Sequence, residues 1–483
     1  MTDPMASPCA EAPRCRAGGR LLALGAAAAA LTLSGCMNLI PAYERPAAPV
    51  AATYPVETAP SAGGVTAADL EWQGFFADPR LKRLIEAALQ NNRDLRIAVL
   101  NIEQARALYQ VRRADELPTA GVGATVQRQP GSNGNVGSSY AVGLAISSYE
   151  IDLFGRVRSL SQAALAQYLG TAEARKAVQI SLISSLANAY MNLLADDEQL
   201  RVTRQTLTTR EESLRLTKLK FDYGASSELD FRQAESLLEG ARAALAQNLR
   251  QRALDENAIV LLIGQPMPAD LPASLALNAA QVPNDLPAGL PSELLERRPD
   301  IRAAEQQLIA ANANIGAARA AFYPRISLTA TFGTASSELS GLFKSGSFAF
   351  TGTGQLLQTI FDAGRNQANL EFSQASREIA VAEYERSIQS AFREVSDALA
   401  GRATLGEQLR AQLAQVKAEE ARFRLSDLRY RNGAANYLEV LDAQRSLFVS
   451  QLAVVQVQAA LVQNLVTLYR VLGGGWTEVV AAR

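Results

Sequence analysis

The chain is written twice. Residues 155–264 realign without a gap on residues 364–473, an offset of 209. Gly155-Arg156 falls on Gly364-Arg365, and Gly264 falls on Gly473. Phe221, Gly224, Leu229, Ala234 and Leu238 fall on Tyr430, Gly433, Leu438, Ala443 and Leu447. A second block, Asp94–Pro118, falls on Asp300–Pro324 at an offset of 206. Two copies of one long unit imply a pseudo-symmetric protomer. They point to a function carried by geometry repeated about an axis rather than by one catalytic pocket.

Proline placement sets the length of the elements. Every proline lies outside residues 131–265 and 325–483. A proline inside a helix costs about 3 kcal/mol, so both tracts are free to form very long helices. Each repeat then reads as helix, strand hairpin, very long helix, tight turn, helix. In repeat 1 the spacing predicts helices over 81–116, 156–222 and 226–263; in repeat 2, over 299–322, 365–430 and 435–472. The two shorter helices of repeat 1, stacked end to end, match the long one and could run antiparallel along it. Leu186, Leu193, Leu200, Leu207, Leu214 and Phe221 recur every seven residues, which implies coiled-coil packing toward the turn. Their counterparts at +209 are apolar except Arg402.

Hairpins are expected over 119–149 and 325–357. Val122, Ala124 and Val126 alternate with Gly123, Thr125 and Gln127, and Val142, Leu144 and Ile146 and then Ile326, Leu328, Ala330 and Phe332 alternate in the same way with small or polar residues. Strands of about ten residues can cross a bilayer at a tilt. Four strands cannot close a barrel, and open edges cannot sit in lipid. A membrane-embedded sheet of this kind needs strands from other protomers; the smallest barrels have about eight strands, so at least two protomers are required, and three would supply about twelve. The competing reading is a soluble β-sandwich lobe.

Composition narrows the function. There is no His, which removes the commonest general base and metal ligand, and the formal charge is −1 with no basic run suited to nucleic acid. The N-terminus reads as an export signal: Arg14, Arg16 and Arg20 precede an apolar run, Leu21–Leu33, too short to span a bilayer. The run ends in Leu33-Ser34-Gly35-Cys36, the pattern of a bacterial lipobox. Lipidation is expected at Cys36, with N-acyl and S-diacylglycerol groups and no other cofactor or metal. The other two cysteines, Cys9 and Cys15, would leave with the signal, which suits an oxidising compartment. The organisation is then a signal peptide (1–35), an extended lipidated segment (36–80), repeat 1 (81–290), repeat 2 (291–473) and a tail (474–483).

Specific segments carry a resemblance. They are Tyr149–Arg156, Leu294–Ile301, Gly316–Pro324, Tyr437–Gln444 and the helix end Leu472-Gly473-Gly474-Gly475-Trp476. With these the chain resembles the TolC-like outer-membrane factor family, and within it the OprM/NodT-type lipoproteins of efflux systems. The resemblance implies a mainly α fold with a small β part: a homotrimer in which long antiparallel coiled-coil helices form a hollow α-barrel. Four strands per protomer would form a 12-stranded transmembrane barrel. It also implies a passive duct for small toxic molecules or drugs, in outer-membrane lipid. Its partners would be a periplasmic adaptor and an inner-membrane RND-type transporter.

Two turns are candidate periplasmic tips. Phe221-Asp222-Tyr223-Gly224 and Tyr430-Arg431-Asn432-Gly433 place glycine just past a helix end. Leu438, Glu439 and Asp442 follow the second turn at spacings that share a helix face, and the resemblance makes them gate residues. It also makes Tyr430 and Arg431 links between adjacent coiled coils. Glu150 and Asp152 are read as structural rather than as a hydrolytic pair, and Gly352-Thr353-Gly354 as strand rather than phosphate loop. An exit duct for proteins in type I secretion, or a non-conducting lipid-anchored coiled coil, remain alternatives.

Overall fold

The computed structural model describes residues 37–55, 70–130, 134, 136–277, 282–283, 286 and 291–476. The signal peptide, the expected lipid site Cys36, part of the extended segment and most of the tail lie outside the described residues. The chain divides into two compact units. One comprises residues up to Ala42 with Gln110–Ala163 and Asn312–Ala375; the other comprises Tyr43–Tyr109, Ala164–Ala311 and Ser376 onward.

The first unit holds an antiparallel sheet of β1 (Ala120–Pro130), β2 (Val136–Glu150), β3 (Arg325–Ser336) and β4 (Phe348–Leu357), in the order β1-β2-β3-β4. Its register aligns Val122, Leu144, Phe332 and Phe350 in one row across all four strands. The adjacent row, on the opposite face, is Gly123, Gly143, Gly333 and Ala349. The expected alternation is therefore present: one face is large and apolar, the other small. A bulge between Ile146 and Tyr149 puts Ser148 at φ 49°. β1 and β4 are the open edges. The segment after Cys36 is pinned here too. Met37 N–H donates to Leu153 O (3.1 Å), and Asn312 Nδ2 to Pro41 O (2.8 Å).

Glu150 accepts two bonds from Arg156 (2.8 Å each) and pairs with Arg325 (2.8 Å), while Asp152 accepts from the Arg158 N–H (2.9 Å). These carboxylates lock the strand-to-helix corner, as their reading as structural groups requires.

Helices make up the second unit, several continuing from the first: α1 (Pro79–Asn91), α2 (Arg93–Ala114), α3 (Arg156–Asp222), α4 (Glu228–Ile263), α5 (Pro299–Ala320), α6 (Arg365–Arg431) and α7 (Tyr437–Val471). The single helix expected over 81–116 is two. Asn92 is extended (φ −61°, ψ 133°), its Oδ1 accepts from Leu95 N–H (2.9 Å), and its Nδ2 donates to Leu262 O (2.9 Å). Arg298 does the same in repeat 2. It is extended (φ −90°, ψ 117°) and its Nη1 donates to Val471 O (3.2 Å). Asn92 and Leu262 are the copies of Arg298 and Val471 at the two offsets. Both kinks seat against a helix-ending glycine in the left-handed region, Gly264 (φ 71°) and Gly473 (φ 87°). A Cβ there would stand 2.9 Å from the Asn91 carbonyl carbon or the Arg297 oxygen. Only glycine fits both the backbone angle and the close approach.

The kinks let the shorter helices stack along the long ones. α4 and then α2 follow α3: Arg210 bonds Leu237 O (2.7 Å), Asn248 bonds Thr203 (3.0 Å), Arg252 pairs with Asp197 (2.6 Å), and Tyr109 stacks on Tyr168. The heptad leucines are buried at Leu186, Leu193 and Leu200 and become half-buried at Leu207 and Leu214. Arg402, the break in the second heptad, donates to Leu286 O in the linker (2.8 Å). α7 is long and apolar enough to cross a membrane by composition. Here it supplies Val462, Leu465, Val466, Leu468 and Tyr469 to the core instead, with Tyr469 stacked on Phe75 at 3.9 Å.

Candidate gate at the helical tip

Both tip turns end their long helix the same way. Gly224 N–H donates to Phe221 O (2.9 Å) and Ala225 N–H to Lys220 O (2.7 Å). Gly433 and Ala434 repeat this on Tyr430 O (3.0 Å) and Arg429 O (2.8 Å). This paired capping needs a left-handed residue, and both glycines comply (φ 72° and 73°).

The helices that leave the turns begin differently. Ser227 caps α4: its Oγ accepts from Asp230 N–H (3.1 Å), and Asp230 accepts in return from Ser227 N–H (3.2 Å) and Ser226 (3.0 Å). Burial pushes the Asp230 carboxyl up, but these serine bonds outweigh it and hold it below its usual range. Asn436 caps α7 in the same place, accepting from Glu439 N–H (3.1 Å). Glu439, the copy of Asp230, does not return the bond. It reaches across the hairpin to Arg429 (3.2 Å).

Asp442 lies one turn further along α7. It pairs with Arg422 on α6, in a close contact, and with Arg445 on its own helix (2.8 Å). Arg422 also holds Glu419 (3.2 Å). Three arginines thus face three carboxylates, and the Arg422 guanidinium holds the Asp442 carboxyl below its usual range. The sequence reading found Glu439 and Asp442 and missed Glu419, Arg422, Arg429 and Arg445. Arg422 and Arg429 sit 20 and 10 residues before their partners, across a turn. In repeat 1 the copies of Arg422 and Asp442 are Ser213 and Gln233, so this bridge is unique to the second tip.

Leu438 is exposed and, with Leu425, Arg422, Arg429, Glu439 and Asp442, lines an open groove of about 1000 Å3. A second groove of about 600 Å3 runs between α3 and α6 and is lined by Glu212, Lys220, Asp427, Tyr430, Arg431 and Tyr437, among others. Here Lys220 stands over the Tyr430 ring (4.1 Å), Tyr430 packs on Tyr437 (5.1 Å), and Arg431 pairs with Asp427 (2.8 Å). Ser213 and Tyr437 share a hydrogen bond (2.7 Å). Phe221 stacks on Phe231 (5.7 Å). Ala234, Tyr437, Val440 and Leu441 form a small core that joins the two hairpins.

A sheet with one apolar face and, among the described residues, two unpaired edges, together with two helices of 67 residues, marks the class of membrane-embedded channel proteins. The chain belongs to the outer membrane efflux protein family, whose model matches residues 84–265 and again 290–474. It is 48% identical over 460 residues to the solvent efflux pump outer membrane protein SrpC of Pseudomonas putida, covering 93% of this chain and 97% of that one. It is 46% identical over 459 residues to the outer membrane protein OprJ of Pseudomonas aeruginosa, covering 93% and 95%. The open-state MtrE outer membrane channel of Neisseria gonorrhoeae superposes with a TM-score of 0.83 at 43% identity, over 91% of this chain and 98% of that one. The protein is an outer-membrane efflux channel.

Proposed function

We propose that this chain is the passive exit duct of a tripartite efflux system, working as a homotrimer. Three sheets joined edge to edge make a 12-stranded barrel, and three sets of helices make a tube through the periplasm. The cargo is small toxic molecules, with apolar solvents and antibiotics the favoured classes because relatives are named for them. The duct carries no chemistry of its own. A periplasmic adaptor docks at the tip turns around Gly224 and Gly433, and an inner-membrane RND-type transporter supplies the energy. Cys36 carries the lipid. Met37, the residue that follows it in sequence, is pinned to Leu153, just past the end of β2.

The carrying observation is the row Val122–Leu144–Phe332–Phe350, apolar across the whole sheet while β1 and β4 stay unpaired. Such a sheet is stable in lipid only when neighbouring chains satisfy both edges. Images of purified particles test this. Hollow particles with threefold symmetry are expected; a solid rod, or a particle without threefold symmetry, refutes the duct. Replacing Cys36 by Ala should abolish palmitate labelling, and labelling that persists places the anchor elsewhere.

The gate is the second tip. Asp442 and Glu439, held by Arg422 and Arg429, keep α7 against α6, and opening requires those bonds to break. Leu438 supplies an apolar lining beside them.

A further inference from the structure

The internal repeat predicts the contact between protomers residue by residue. Within the chain, neighbours follow one order in the sheet, β1-β2-β3-β4. The helices of the second unit follow the matching order: α2 on α3 through Tyr109–Tyr168, α3 on α5 through Arg302–Glu173 (2.9 Å), and the kink residue that leads into α5 on α6 through Arg298–Glu394 (3.1 Å). The α3·α5 seam joins repeat 1 to repeat 2. Gly170 is buried in it, and a Cβ there would lie 3.2 Å from Gln306 Cβ and 3.5 Å from Ala303 O.

Shifting this seam by the repeat offsets maps α3 onto α6 and α5 onto α2. Gly170 becomes Ile379, Gln306 becomes Leu100 and Ala303 becomes Ile97. All three are bare in the protomer, at 61%, 51% and 55% exposure. The polar bridge is lost in the same step, because Glu173 becomes Ala382 opposite the retained Arg96. Positions covered in one copy are thus apolar and uncovered in the other, as a heterologous contact that closes a ring requires.

We propose that Ile379 of one chain packs on Leu100 and Ile97 of the next copy of the same chain. At these three positions the seam between protomers is apolar, where the equivalent seam within the protomer holds Gly170, Gln306 and Ala303. The inference rests on the homotrimeric duct and specifies its contact.

Cross-linking tests it. The variant Leu100→Cys/Ile379→Cys, in chains with Cys9→Ser and Cys15→Ser, is treated with a short bismaleimide in native membranes. Covalent dimers and trimers are expected on a denaturing gel, at least tenfold above either single-cysteine chain. Threefold particles that give no such ladder overturn the seam and leave the duct standing; absence of threefold particles overturns both. A second pair guards against misfolding. Leu100→Glu should lower the trimer yield about tenfold, and Ile379→Lys added to it should restore most of that loss. Failure of this rescue, together with no cross-link, contradicts the contact.

Discussion

The two halves of the protomer agree at the kinks and part at the tips. At the kinks, different side chains do one job: Asn92 and Arg298 each break a helix and bond the last-turn carbonyl of another, Leu262 or Val471. At the tips, similar side chains do different jobs. Asp230 closes a capping box within α4, whereas its copy Glu439 leaves the cap and bridges two helices. Packing constrains the first site on every side, so chemistry can drift while geometry stays. The exposed tip has no such restraint, and there one copy acquired the Arg422–Asp442 bridge that the other lacks.

The comparison can be broken at the kinks first. Gly264→Ala must adopt a left-handed backbone and push into Asn91, so it should destabilise the protein by about 3 kcal/mol. Gly473→Ala should cost nearly as much. Arg298→Ala leaves Asp300 and Glu394 without their shared partner and should cost about 2 kcal/mol, since both acids are partly solvated. Asn92→Ala removes a cap and one long-range bond and should cost about 1 kcal/mol. Thermal unfolding in detergent checks this order; equal effects of Gly264→Ala and Asn92→Ala would refute the close-approach argument. Gly224→Ala and Gly433→Ala meet no neighbouring atom, so each should cost only about 1 kcal/mol of backbone strain.

Acid sharpens the contrast at the tips. The Asp442 carboxyl is depressed in the folded state, so its contribution is full above the ordinary carboxylate range and is lost as pH falls through its lowered value. Conductance of single channels should hold steady from neutral pH down through the ordinary carboxylate range and rise only below it. A rise already near pH 6 would mean that another group controls the latch.

Much of this was legible in the chain. The helix 156–222 was read with both ends correct, because Gly155 and Gly224 bracket it and no proline intervenes. The hairpins were read within a few residues from their alternation. The break at Asn92 was missed because the apolar pattern runs through it, and the carbonyl that rewards the break lies 170 residues away. A signal existed: Asn92 aligns with Arg298, which precedes Pro299, a residue suited to a helix start. Arg402 looked like an error in the heptad for the same reason, since its acceptor lies in the linker. At the tip Glu439 and Asp442 were legible and their partners Arg422 and Arg429 were not, because pairing across a turn depends on how two helices face each other.

The central claim is that only the second tip latches the duct. Single-channel recording in planar bilayers compares Glu439→Ala/Asp442→Ala with the matched change in the first tip, Asp230→Ala/Gln233→Ala. The account predicts a conductance rise of several-fold for the first pair and little change for the second. Equal changes in both, or none in Glu439→Ala/Asp442→Ala, would contradict it.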